Sequence, residues 1–108
     1  MTASQLPAYV LLSAQRALLG VITPNIRMIS LQWEGFNRLS LRVHYDSVPT
    51  EEQLEDMEVV VAEIIADVPF QWASPVDVVI SDAPMAELKP MNRLVFCRKE
   101  STDPNKLA

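Results

Sequence analysis

The chain has 108 residues, of which 49% are hydrophobic and 21% charged, so one domain with a core of its own is the expectation and a disordered or low-complexity chain is excluded. Fourteen acids against nine bases leave a net charge of −5, which disfavours broad contact with phosphate backbones or anionic lipid, since both reward clustered Lys and Arg. The single cysteine, Cys97, allows no internal disulfide and no multi-cysteine metal site, and it fits a reducing, cytoplasmic compartment.

In chain order, Pro7 to Leu19 reads as a helix, with Leu11, Ala14 and Leu18 at helical spacing and Gly20 as its stop. Ser13, Gln15 and Arg16 interrupt this apolar stretch, and no basic segment precedes it, so it is read neither as a signal peptide nor as a membrane span. Ile29, Leu31 and Trp33 alternate with Ser30, Gln32 and Glu34, the period of a strand with one buried face, and Glu34 to Asn37 is expected to form a hairpin turn around Gly35. In the next strand Leu39, Leu41, Val43 and Tyr45 alternate with Arg38, Ser40, Arg42 and His44, which places the arginines and the histidine on an outward face.

A second helix is predicted from Thr50 to the residue before Pro69, because Thr50 and Gln53 have capping-box spacing and Glu51 and Glu52 suit the positive end of the helix dipole. Leu54, Met57, Val61, Ile64, Ile65 and Val68 project to its core side, and Glu52, Glu55, Asp56, Glu63 and Asp67 project to its back. Val76–Ser81 and Arg93–Arg98 are two further strands, with Pro84 and Pro90 in the loop between them and a short extension at Phe70–Trp72. The fold class is thus α+β, in the order α-β-β-α-β-β: a mostly antiparallel sheet with two helices packed on one face. Residues 1–98 form the single domain, and 99–108 are expected to be a flexible tail.

No catalytic equipment is legible. His44 and Cys97 lie on different strands and lack the local signature of an activated thiolate, so no catalytic residue is assigned. The carboxylates of the second helix match neither a calcium loop nor a histidine–carboxylate motif, and no glycine-rich turn is present to hold phosphate; neither metal nor cofactor is expected. Arg38, Arg42 and His44 make too small a basic face for nucleic acid, although as an exposed sheet face they offer a surface for a homodimer.

The clearest surface pattern is acidic. From Asp46 to Glu87 every charged residue is a carboxylate, and Val59 sits among Glu52, Glu55, Asp56, Glu63 and Asp67 on the back of the second helix. An apolar centre flanked by charge is the build of a protein interface, and these six residues are the partner-binding candidates; an ordinary solvated face is the competing reading.

The runs Leu12-Ser13-Ala14-Gln15-Arg16-Ala17-Leu18-Leu19-Gly20, Pro24-Asn25-Ile26-Arg27 and Glu63-Ile64-Ile65-Ala66-Asp67 resemble a group of short bacterial proteins of uncharacterised role. In size, acidity and single-domain build the chain is also similar to bacterial immunity proteins that neutralise toxin domains. That likeness implies an inhibitor of a basic toxin, such as a nuclease domain, with no binding positions carried over. The alternative is a homo-oligomeric structural or regulatory protein that uses its exposed sheet face.

Overall fold

In the computed structural model the described residues are 8–34, 38–67 and 72–100. The elements run α1 (Ala8–Ala17), β1 (Ile26–Glu34), β2 (Arg38–Tyr45), α2 (Glu51–Asp67), β3 (Trp72–Ala73), β4 (Asp77–Ile80) and β5 (Arg93–Cys97), with a 3-10 turn at Met85–Glu87. Pro7, residues 35–37 of the predicted Glu34–Asn37 turn, Val68, Pro69, and Phe70 and Gln71 of the predicted extension lie outside the described residues.

Helix α1 ends two residues earlier than its periodicity predicts, and the chain then turns through Gly20 at φ +82°, a conformation that disfavours any side chain. The cap of α2 is as its spacing predicts. The Gln53 amide donates to the Thr50 hydroxyl (3.1 Å), and the Thr50 amide donates to Gln53 Oε1 (2.9 Å). Gln53 Nε2 also donates to Thr23 Oγ1 and Asn25 Oδ1, so the start of α2 is tied to the connection between α1 and β1.

Strands β1 and β2 are antiparallel, with Ile29 opposite Val43, Leu31 opposite Leu41 and Trp33 opposite Leu39. A register shift between Ile26 and Met28 returns Ile26, opposite Tyr45, to the core face. Strand β5 flanks β1 antiparallel. On the other edge β3 and β4 both pair with β2 in parallel, at Arg38–Leu39 and Arg42–Tyr45 respectively, because α2 carries the chain back before it re-enters the sheet. The sheet is therefore mixed, antiparallel at its centre and parallel at one edge.

The predicted register of β2 holds: Leu39, Leu41, Val43 and Tyr45 are buried with Met57, Val61 and Ile64 of α2. Val60, which the sequence reading left off the core stripe, joins them, while Ile65 is partly buried and Leu54 partly exposed. The cause is α1, which packs beside α2 and moves the buried stripe toward Val60.

The expectation of an outward, solvated β2 face is corrected. Ser30, Ser40 and His44 are buried; the β4–β5 connection crosses this side of the sheet, and Ser40 meets Ser74, just after β3 (3.4 Å). Arg42 Nη1 donates to the Lys89 carbonyl (2.9 Å), the Met91 amide donates to Ser30 Oγ (2.9 Å), and Leu88 is buried. Arg38 remains exposed and lies over the Trp72 ring, 5.5 Å from its centroid.

Candidate functional site

The buried polar groups have structural work. Arg27, in the β1 irregularity, is 4% exposed and donates through Nε and Nη2 to both oxygens of Glu100 (2.9 and 2.7 Å), while Nη1 donates to the Ser81 carbonyl. Hydrogen bonds from Arg27 first, and from Arg98 second, hold the Glu100 carboxyl at about 2, far below its ordinary value. Arg98 also bonds Asp46 (2.8 Å). The segment expected to be flexible from residue 99 thus begins with Glu100 bound to the sheet; residues 101–108 lie outside the described ones.

His44 and Cys97 flank Met28 from the two neighbouring strands. Two strand spacings put their backbones about 10 Å apart. Burial, and next the charge of Arg42, lower the pKa of His44, and its Nδ1 has no hydrogen-bond partner among the described residues. The Cys97 thiol is exposed and lies 3.9 Å from Met85 Sδ. Among the described residues the Cys97 thiol's contacts are Met85 Sδ and the Arg98 carbonyl, and no hydrogen bond joins it to His44. Among the described residues no three of His, Cys, Asp and Glu converge to hold a metal, and no helix is long and apolar enough to cross a membrane.

The six partner-binding candidates fall into two groups. Glu52, Glu55, Val59 and Glu63 are exposed on the outer side of α2, and Asp56 is partly exposed beside them. Asp67 instead turns toward α1, where it accepts from the Ser13 hydroxyl (2.6 Å) and pairs with Arg16 (3.2 Å). Among the described residues Arg16, Arg27, Arg42 and Arg98 pair with Asp67, Glu100, Asp77 and Asp46, and Arg98 also reaches Glu100. Among the described residues no ion pair reaches Glu51, Glu52, Glu55, Asp56, Glu58 or Glu63. The outer side of α2 is therefore a run of carboxylates with no counter-charge paired to it among the described residues.

Beside it lies a surface the sequence reading passed over. Tyr9, Leu12 and Arg16 occupy the side of α1 opposite buried Val10 and Ala14, with Tyr9 55% and Leu12 63% exposed. The signal was present in the sequence, since these residues fall off the helix's core stripe at three- and four-residue spacing.

A search of curated proteins returns no match. A family model described as MafI2 immunity protein matches residues 7–100. The match takes in both helices, every described strand and the Arg27–Glu100 pair, and the chain belongs to the MafI2 immunity protein family.

Proposed function

We propose that this chain neutralises a bacterial toxin in the cytoplasm by stoichiometric binding, with the outer side of α2 as the contact surface and no catalysis of its own. Membership of an immunity family implies a protein partner. The observation that carries the choice of surface is the row of outer α2 carboxylates left without ion-pair partners among the described residues, while Asp46, Asp67, Asp77 and Glu100 draw in the arginines. Such a surface complements a basic domain, of the kind a nuclease uses to hold phosphate, and its field speeds encounter. Val59, 53% exposed, supplies an apolar centre.

The test uses the toxin domain that a pull-down with this chain from its native cell returns, purified as an inactive variant. Glu55→Lys with Glu63→Lys should leave the fold intact, since exposed substitutions usually change stability by less than about 0.5 kcal/mol. Association should slow at low salt, and the difference should shrink as salt screens the charges. Val59→Asp should act mainly by faster dissociation. Unchanged affinity in all of these variants would remove α2 from the interface.

A further inference from the structure

The outward side of α1 is more apolar than solubility requires. Tyr9 and Leu12 are large, more than half exposed and one helical turn apart. With Gln15 and Arg16 they line an open depression of about 390 Å³. Arg16 also borders a second hollow of about 320 Å³ between the helices, lined on the α2 side by Glu63, Ala66 and Asp67. The two hollows thus meet at one side chain.

That side chain is the sole base of α1, and Asp67 neutralises it. The surface from Tyr9 across Arg16 to Glu63 consequently runs from neutral and apolar to acidic, with no free cation from α1 along it. Single exposed apolar residues need no explanation. Adjacent ones that shape a hollow beside a charged field have the anatomy of an interface centre with a charged flank, and tyrosine is among the residues enriched at energetic centres.

Resting on the reading that this chain binds a basic toxin domain, we propose that the Tyr9–Leu12 hollow of α1 is the anchoring part of that same interface: it receives an apolar side chain of the toxin, and the toxin's flanking Lys or Arg residues face Glu63 and the α2 carboxylates. The two parts divide the labour. The carboxylates set the association rate, and the hollow sets the lifetime of the complex.

The experiment measures binding kinetics with the inactive toxin domain that a pull-down with this chain from its native cell returns. Leu12→Asp and Tyr9→Ala are compared with Glu55→Lys/Glu63→Lys and with a control, Val48→Asp, whose side chain is 77% exposed and lies outside both hollows. Circular dichroism melts establish that each variant is folded. Leu12→Asp and Tyr9→Ala should raise the dissociation rate about tenfold or more, with a salt dependence like that of the unmodified protein; Val48→Asp should bind normally.

If the α1 variants bind normally while the α2 reversal weakens association, the anchoring proposal is overturned and the proposed function stands. If neither set changes a complex that does form, both fall. A concentration-dependent mass that Leu12→Asp abolishes, with toxin binding unaffected, would assign the hollow to a second copy of the chain and likewise overturn the proposal.

Discussion

Glu100→Gln is the substitution whose consequence can be worked furthest from the structure. The native carboxylate receives two hydrogen bonds from Arg27, which is 4% exposed, and is itself 21% exposed. A fall in its pKa from 4.5 to about 2 corresponds to about 3 kcal/mol at neutral pH if fully expressed. Solvent at the exposed fifth of the side chain reduces this to about 2 kcal/mol. The substitution also leaves the buried Arg27 guanidinium with no counter-charge at this position: the Ser81 carbonyl and one neutral amide oxygen stand where a carboxylate accepted two bonds. The net loss at pH 7 should therefore be about 2–3 kcal/mol, or a fall in Tm of roughly 10–15 °C for a chain of this size.

The sign with pH follows from the depressed pKa. The stabilisation is complete above pH 4.5 and is lost as pH falls toward 2. Urea denaturation of both proteins at pH 7 and pH 3 should show the gap shrinking by roughly half at the lower pH. A gap under about 0.5 kcal/mol at pH 7, or one that is as large at pH 3, would refute the assignment of Glu100 as the counter-charge that makes buried Arg27 tolerable.

Ile64→Ala should cost about 2–5 kcal/mol by urea denaturation, because the side chain is fully buried between α2 and the sheet; exposed Val59→Ala on the same helix should stay within about 0.5 kcal/mol. Tyr45→Phe should leave stability unchanged or raise it in thermal melts, since the buried hydroxyl has no hydrogen-bond partner among the described residues. For His44 the folded pKa is lowered, by burial and by Arg42 and Arg27 against an opposing pull from Asp77, so its contribution is complete above pH 6.5 and declines as pH falls toward the folded value. His44→Gln should flatten the stability profile in that window, and binding of the toxin domain at pH 7.5 should be unaltered; a variant that stays folded and loses binding would contradict the non-catalytic reading.

How much was legible follows from the range of each signal. The α2 cap, the face alternation of β2 and the Gly20 stop are decided within four residues of chain, by donor–acceptor spacing, side-chain period and backbone sterics. They read directly from the sequence. So did the segregation of acids onto one side of α2, which is a property of the helix alone.

What lay beyond reach depended on segments far apart in sequence. Strand alternation points Ser30 and His44 to solvent, yet the amide of Met91, 61 residues beyond Ser30, donates to the Ser30 hydroxyl and brings the β4–β5 connection across that face. Alternation reports that two faces differ; it does not report what covers the second one. Helical projection groups Asp67 with the outward acids, but in the structure Ser13 and Arg16 of α1 engage its carboxylate. The Tyr9–Leu12 hollow, too, exists as a surface only because α1 lies beside α2 and buries its other side. The sequence by itself determined the elements and their apolar faces, since these arise from local sterics and periodicity. Tertiary structure decided which polar residues remained in water, because burial depends on which distant segment packs against them.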